Sequence, residues 1–191
     1  MIIVKTPLRI SFSGGGSDLF AYYSKAEGQV ISATIDKYVY IIIKKRFDDN
    51  IYINYSKKEC VEEVNQIKHD LVREAMKKTG VKSGIEITTL ADIPSSGSGL
   101  GSSSAITVGL LHALYAYKNK LVSSERLARE ACEIEIDILK NPIGKQDQYA
   151  VAFGGLNNFI FHNDGLVTRN PILINENLIS KFSSSIFLYY T

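Results

Sequence analysis

Residues 91–105 read ADIPSSGSGLGSSSA and lie between a strand-like segment, residues 84–90, and an apolar segment, residues 103–117, that predicts a helix. Phosphate groups require converging backbone N–H donors, and a helix N-terminus adds a favourable dipole. Glycines let the backbone wrap closely, and hydroxyls in the first helical turn can cap the helix or ligate Mg²⁺. The residues that supply these features are Gly97, Gly99, Gly101, Ser102, Ser103 and Ser104. The stretch therefore predicts a phosphate-binding loop that opens a helix.

Two common phosphate-binding motifs do not fit this loop. A P-loop requires a Gly-Lys-Ser or Gly-Lys-Thr sequence, and no lysine lies between Ala91 and Tyr117. A dinucleotide-binding fingerprint requires a glycine three residues after Gly99, where this chain has Ser102. A flexible Gly/Ser linker is the remaining alternative. The tight placement between a strand and an apolar helix favours phosphate binding over a linker.

The composition is that of a folded domain, since 45% of the 191 residues are hydrophobic and 22% are charged. A formal net charge of +2 does not provide the broad cationic surface of nucleic-acid-binding proteins, so we expect no nucleic-acid partner. The N-terminus lacks a signal-peptide pattern. The longest apolar run, residues 38–43, is far too short to span a membrane. We therefore expect a cytoplasmic protein without membrane association.

Hydrophobic periodicity along the chain predicts a mixed α+β fold. Strands are predicted at residues 2–4, 8–12, 30–35, 38–44, 51–55, 84–90, 156–161, 166–167 and 185–190. Helices are predicted at residues 61–78, ended by Gly80, at residues 103–117, and from Ser123 or Ser124 to the Asn141–Pro142 pair. Turn-forming residues predict hairpins at residues 48–50 and 163–165.

A second glycine-rich motif lies near the N-terminus, where residues 5–18 read KTPLRISFSGGGSD. An apolar strand here leads into three consecutive glycines and then Asp18. By itself the motif indicates either a ligand site or a strand that ends in a tight turn, with Asp18 capping a short helix.

A third polar motif consists of residues 133–137, EIEID, and residues 144–148, GKQDQ. Glu133 and Asp137 are four residues apart, which is typical of a solvated acidic helix face. The second part differs, because it places Asp147 directly after a glycine turn and predicts the start of another helix.

Residues 94–105, PSSGSGLGSSSA, closely resemble the P-x-x-x-G-L-G-S-S-A signature of the GHMP kinases, with one extra residue before Gly99 and Ser104 in place of the usual alanine. The resemblance implies the N-terminal domain of that family, with a ribosomal-protein-like fold rich in βαβ units. It implies that ATP binds to Pro94, Gly97, Ser98, Gly99, Leu100, Gly101, Ser102, Ser103 and Ser104. It also implies that Ser103 and Glu135 hold Mg²⁺.

The other two motifs resemble the family's remaining N-terminal sequences and imply roles in catalysis. On that resemblance Asp147 is the general base, and Arg9 lies near the transferred phosphate. The implied substrate-binding residues are Asp18, Gly15, Gly16, Ser17, Gly144 and Lys145. Gly15 and Gly16 replace the Glu-His pair of galactokinases, which argues against a plain galactokinase. The motifs are most similar to the kinases of heptose phosphates, followed by fucokinase-like enzymes.

The resemblance also implies partners and a domain organisation. ATP and a sugar or sugar phosphate are the expected ligands, and the chain is a candidate homodimer. The family carries a third glycine-rich motif in a C-terminal domain, and no segment of this chain matches it. We therefore expect residues 1–180 to form the ATP-binding domain and residues 181–191 to begin a C-terminal domain that is largely absent.

Two other functions fit the same motifs. One is a GHMP kinase that acts on an alcohol other than a sugar, such as mevalonate or homoserine. The other is a kinase-like fold that binds or regulates without catalysis.

Overall fold

A computed structural model describes residues 1–93, 98–187 and 189, and within these ranges the chain forms one mixed sheet packed against helices. The strands are β1 (Ile2–Ser13), β2 (Gly28–Lys45), β3 (Ile51–Asn54), β4 (Lys58–Val61), β5 (Ile85–Ala91), β6 (Leu156–Phe161) and β7 (Val167–Pro171). The helices are α1 (Phe20–Tyr23), α2 (Asp70–Thr79), α3 (Ser102–Tyr117), α4 (Ser124–Cys132), α5 (Gln146–Phe153) and α6 (Glu176–Ser183). The predicted α+β fold is confirmed.

Strand β2 is the centre of the sheet, whose strand order is β4-β3-β5-β2-β6-β7, with β1 also paired to β2. The sequence predicts separate strands before and after residues 5–7, and likewise before and after residues 36–37, whereas β1 and β2 are each continuous. Their antiparallel register shifts between Pro7, which pairs with Tyr38, and Arg9, which pairs with Thr34. Because β2 contributes extra residues there, the sheet is irregular where β1 approaches the loop before α3.

Helix α3 lies at the centre of the helical layer and contacts β1, β2, α2, α4 and α5. Most of its residues are buried on all sides, as expected for a helix without a polar face. A Cβ atom on Gly109 would lie 2.7 Å from Oγ1 of Thr6 and 2.9 Å from Cγ1 of Ile41. The absence of a side chain at Gly109 thus lets α3 pack directly on the sheet, which fixes the position of its N-terminus.

Several predicted boundaries are confirmed, because their signals are local. Gly80 ends α2 in the left-handed conformation, with φ 70°. The side chain of Ser123 accepts a hydrogen bond from the Arg126 N–H and caps α4. Strands β6 and β7 form the predicted hairpin, and a helix, α5, follows residue 145 as expected.

The hairpin predicted at residues 48–50 is wrong. The turn connects β2 to β3, but β5 lies between these strands, pairing antiparallel with β2 and parallel with β3. Turn-forming residues show that the chain reverses direction, and they do not determine whether the flanking strands become neighbours.

The helix predicted at residues 61–78 is too long at its N-terminus. Val61 is instead the last residue of β4, Val64–Gln66 form a 3₁₀ turn, and α2 begins only at Asp70. The carboxylate of Glu59 accepts hydrogen bonds from the backbone N–H groups of Lys68 and His69, which holds the chain in a loop before the helix.

The strand predicted at residues 185–190 is also wrong for the residues there that the structure describes, 185–187 and 189, since none belongs to a strand. The preceding helix, α6, was not predicted. Within the described ranges, no helix combines the length and the apolar character that crossing a membrane requires.

Candidate active site

The loop before α3 has the backbone geometry that the sequence predicts, in the part that the structure describes. Gly99 and Gly101 have φ values of 65° and 74°, which non-glycine residues rarely adopt. Gly101 is the N-cap of α3, and no described side chain caps this helix. The N–H groups of its first turn are therefore available to an anion. Pro94 and Gly97 lie outside the described residues.

The serines of this loop have different environments. Ser102 is buried, and its Oγ lies 2.8 Å from Oγ of Ser98. Ser104 is also buried, whereas Ser103 is exposed at the mouth of the helix. Only Ser103 of the three serines in the first turn therefore presents its hydroxyl to a ligand in the cleft.

Arg9 links the loop to the start of α5. Its Nε donates to Oδ1 of Asp147 at 2.7 Å, and its Nη2 lies 2.6 Å from the same oxygen. Its Nη1 donates to the Gly99 carbonyl oxygen at 2.7 Å, and its backbone N–H donates to the Leu100 carbonyl oxygen at 3.0 Å. These side-chain contacts use three of the five N–H donors of the guanidinium, which leaves two for a ligand.

Asp147 lies in the first turn of α5, where its side chain is half-buried beside the loop, with 27% exposure. Burial raises the pKa of this carboxyl, the charge of Arg9 lowers it, and the charge of Asp18 raises it further, with a net increase above the usual value. Its Oδ1 is bound by Arg9, while its Oδ2 points toward Gly101, where a Cβ atom would lie 3.4 Å away. The carboxylate therefore has one oxygen fixed and the other facing the loop.

Asp18 does not cap the short helix that follows it, because α1 begins at Phe20 and its N-cap is Leu19. Asp18 is buried, with 7% exposure. Its Oδ1 accepts the Gly16 N–H at 3.0 Å, and its Oδ2 accepts the Gln146 N–H at 3.0 Å. Asp18 thus joins the triple-glycine turn to the first turn of α5.

The other residues expected at the substrate site lie around this turn. Gly15 and Gly16 are exposed, whereas Ser17 is half-buried, with its Oγ 2.7 Å from the Gly14 carbonyl oxygen. Gly144 lies against Asp18. Lys145 donates to the Gly165 carbonyl oxygen at 2.6 Å, and its Nζ lies 5.0 Å from the centre of the Tyr23 ring. The structure therefore directs Lys145 to the β6–β7 hairpin.

Glu135 is fully buried, in a π-helical segment, Glu133–Ile138, that continues α4. Its Oε2 accepts hydrogen bonds from Ser104 Oγ at 2.7 Å and from Gln148 Nε2, and its Oε1 contacts Thr107 Oγ1. No ion pair formed by described residues includes Glu135. Burial raises the pKa of this carboxyl.

These contacts fit a cation site beside the loop. Oε1 of Glu135 lies 3.5 Å from the hydroxyl of Ser103, the exposed serine at the helix mouth. A buried carboxylate surrounded by neutral donors lacks a compensating charge, and oxygen ligands of this kind suit Mg²⁺. Within the described ranges no group of three or more His, Cys, Asp or Glu side chains is arranged to hold a metal, so bound phosphates or water would supply the remaining ligands.

Sequence reasoning did not predict which residues hold Glu135, namely Thr107, Gln148 and Ser104, the last of which it had assigned to ATP binding alone. A signal was available for two of them, because Ser104 and Thr107 are three residues apart on one face of an otherwise apolar helix. Of the two residues predicted to form a solvated acidic face, Asp137 is exposed, whereas Glu133 is half-buried and forms an ion pair with Lys78 at 2.6 Å.

The glycine loop at the N-terminus of α3, the Arg9–Asp147 pair and the buried Glu135 occur together with a specific sequence match. Residues 54–155 match the family described as the GHMP kinases N terminal domain. The chain belongs to the GHMP kinases. The D-glycero-alpha-D-manno-heptose 7-phosphate kinase of Campylobacter jejuni is 34% identical to it, in an alignment that covers 100% of this chain and 59% of that protein.

Two further GHMP kinase relatives extend the comparison. The crystal structure of a D-glycero-D-manno-heptose 1-phosphate kinase from Bacteriodes thetaiotaomicron superposes with a TM-score of 0.89 at 32% identity, covering 97% of this chain and 64% of that one. The galactokinase of Pyrococcus furiosus is 29% identical over 84% of this chain and 46% of its own length. The chain thus spans about half to three-fifths of the length of these curated relatives.

Proposed function

We propose that this GHMP kinase domain forms the nucleotide-binding part of an enzyme that transfers the γ-phosphoryl group of ATP to a sugar or sugar-phosphate hydroxyl. The observation that carries the proposal is the position of Arg9, which contacts the Gly99 carbonyl oxygen and the Asp147 carboxylate at 2.7 Å each. A phosphate-binding loop and a candidate base are thereby held within the reach of one side chain. Phosphoryl transfer requires this proximity of phosphate, base and positive charge.

In this mechanism the loop from Gly97 to Ser104 binds the triphosphate at the N-terminus of α3. Mg²⁺, held by Ser103 and Glu135, would neutralise phosphate charge when bound. Oδ2 of Asp147 accepts the proton of the acceptor hydroxyl, while the free N–H groups of Arg9 bind the transferred phosphoryl group. The raised pKa of Asp147 suits this role, because a more basic carboxylate takes up the proton more readily.

The proposed acceptor is the anomeric hydroxyl of D-glycero-D-manno-heptose 7-phosphate, with the 1,7-bisphosphate as product. The support is the 34% identity to the Campylobacter kinase of that name, together with the Gly15–Gly16 pair in place of the galactokinase Glu-His. The Bacteriodes relative is named as a heptose 1-phosphate kinase. Experiment must therefore decide whether the heptose substrate carries its phosphate at position 7 or at position 1.

The test is a substrate panel assayed with Mg-ATP, using the full-length gene product in which this chain occurs. The panel contains heptose 7-phosphate, heptose 1-phosphate, fucose, galactose, mevalonate and homoserine. We expect the highest kcat/KM with heptose 7-phosphate. A preference for mevalonate or homoserine would overturn the sugar-kinase proposal, and an absence of turnover with every acceptor would favour a binding or regulatory role.

A second candidate is a fucokinase-like or galactokinase-like enzyme, supported by the 29% identity to the Pyrococcus galactokinase. The same panel distinguishes it, because such an enzyme would prefer an unphosphorylated hexose.

A further inference from the structure

The two glycine turns of the candidate site are joined through one buried carboxylate. Asp18 ends the triple-glycine turn, and both of its carboxylate oxygens are used by the backbone. Oδ1 accepts the N–H of Gly16 within its own turn, and Oδ2 accepts the N–H of Gln146 from α5, each at 3.0 Å. The Asp18 carbonyl oxygen also accepts the Lys145 N–H at 3.3 Å. Two hydrogen bonds therefore connect Asp18 to the residues directly before Asp147.

Gly144 shows how close this junction is. A Cβ atom at this position would lie 2.0 Å from Oδ2 of Asp18 and 2.8 Å from its backbone carbonyl carbon. Both distances are far below van der Waals contact, and neither could be accommodated without moving one turn away from the other. The glycine is required for the approach of Asp18 to α5, although its φ is not in the left-handed region.

The junction bears directly on Asp147. Arg9 holds the carboxylate of Asp147 from the side of the loop, whereas Asp18 holds the backbone of the residue before it. A side chain at the start of a helix is oriented by the first turn of that helix, so a shift of the Gln146 backbone moves the Asp147 carboxylate with it. The charge of Asp18 also contributes to the raised pKa of Asp147, which is consistent with their proximity.

We propose that Asp18, through its hydrogen bond to the Gln146 N–H and its contact with Gly144, is a positioning residue that sets the place of the Asp147 carboxylate. This inference rests on the proposed function and assigns Asp18 a role other than binding substrate hydroxyls. It explains why the carboxylate is buried and accepts two backbone N–H groups. A group that binds substrate hydroxyls would instead keep its oxygens accessible in the cleft.

Two substitutions in the full-length gene product break the same junction from opposite sides. Asp18→Asn replaces one acceptor oxygen with an amide N–H group, which then faces a backbone N–H donor and cannot accept its hydrogen bond. Gly144→Ala leaves Asp18 unaltered and inserts a methyl group against its carboxylate. We expect each to lower kcat by about 10²-fold, because a displacement of ~1 Å of a catalytic group has that effect. The KM for the sugar should stay within about twofold, since uniform substrate binding is not removed.

Two further measurements separate this role from a general loss of folding. Hydrogen exchange of the peptide that contains residues 144–148 should accelerate in both variants, while exchange in the core strand β5 stays unchanged. The double variant should be no slower than the worse single variant, because both substitutions remove one link. The matched control is Asp70→Asn, the same chemical change at an exposed helix N-terminus away from the site, and it should leave kcat and this exchange unchanged.

Three outcomes would overturn the positioning role. They are a large rise in sugar KM for Asp18→Asn with kcat retained, a wild-type kcat for Gly144→Ala, or effects that add in the double variant. If the wild-type protein phosphorylates no sugar, the proposed function fails. The hydrogen-exchange experiment then decides by itself whether Asp18 holds the start of α5. Faster exchange at residues 144–148 in both variants would then support the junction, and unchanged exchange would overturn it.

Discussion

A Cβ atom on Gly101, the N-cap of α3, would lie 3.4 Å from Oδ2 of Asp147, so the carboxylate in the first turn of α5 borders the space that a side chain at this position would fill. The two residues are 46 positions apart in the sequence. This proximity places the candidate base directly beside the loop that precedes α3. The predictions below test what depends on this arrangement.

The first prediction concerns the candidate base. Asp147→Asn in the full-length gene product should lower kcat by roughly 10²-fold or more, because general-base catalysis contributes about that much. The affinity for ATP should change little, since the loop and α3 remain intact. Steady-state kinetics and calorimetric titration with ATP measure the two quantities. Near-normal turnover in this variant would remove Asp147 from the mechanism.

The second prediction is a shift in the pH dependence of kcat when Arg9 is replaced. Asp147 acts as a base only when it is deprotonated, so kcat rises with pH through the pKa of Asp147. The charge of Arg9 lowers this pKa, and Arg9→Met removes the charge while keeping most of the side-chain volume. The acid limb of the pH profile should therefore move to higher pH, in addition to a lower maximal kcat. Arg46→Met, in the ion pair with Asp48 in the turn between β2 and β3, is the control. An acid limb that stays in place or moves to lower pH would contradict the assignment.

The third prediction compares two glycines of the loop. Gly99→Ala and Gly101→Ala each force a non-glycine residue into the left-handed region, which costs about 1–2 kcal/mol. A Cβ on Gly99 meets no atom within 4 Å, whereas a Cβ on Gly101 would lie 3.2 Å from Cγ of Arg9. Thermal melting should therefore show a decrease in Tm for both variants and a larger decrease for Gly101→Ala. Equal decreases would mean that Gly101 makes no close contact with Arg9.

The fourth prediction concerns the buried carboxylate. Glu135→Gln removes a charge that is fully buried without a cationic partner among the described residues, which otherwise costs folding free energy. The ligand-free protein should therefore melt at the same temperature or a few degrees higher, since about 1 kcal/mol shifts Tm by about 2–4 °C at this size. The additional stabilisation by ADP that depends on Mg²⁺ should disappear. Glu133→Gln, at the half-buried position two residues away, should keep this Mg²⁺-dependent stabilisation. If Glu135→Gln retains the Mg²⁺-dependent stabilisation, Glu135 does not ligate the metal.

The fifth prediction applies where the natural protein continues beyond residue 191, and it compares residues 1–191 with that longer protein. A shorter protein that leaves the cleft open should turn over at least about 10²-fold more slowly, because phosphoryl transfer depends on positioning by both walls. Exposed apolar side chains in α6, among them Leu178, Ile179 and Phe182, should promote self-association. A kinase assay at equal concentrations and light scattering on both proteins measure these effects. Comparable turnover by a monomeric short protein would contradict the proposed division into domains.

The sequence by itself determined the local features of this GHMP kinase domain. The loop before α3, the helix stop at Gly80, the cap at Ser123 and the β6–β7 hairpin follow from residues adjacent to one another. Glycine conformation, helix capping and hydrophobic periodicity act over a few residues, so their signals are readable without the fold. The family motif also indicated Arg9 and Asp147 as candidates, although their pairing was not part of that prediction.

Only the tertiary structure decided which of these segments meet. Strand β5 lies between β2 and β3, Arg9 pairs with Asp147 across 138 positions, and Asp18 bonds to Gln146 rather than to the helix that follows it. Glu135 shows the same limit, because its alternating acidic neighbours suggest a solvated face while its own side chain is fully buried. Contacts of this kind depend on strand order and on the close packing of α3 against the sheet at Gly109. Strand order and helix packing are properties of the whole assembled core, so they cannot be predicted from any short segment of the sequence.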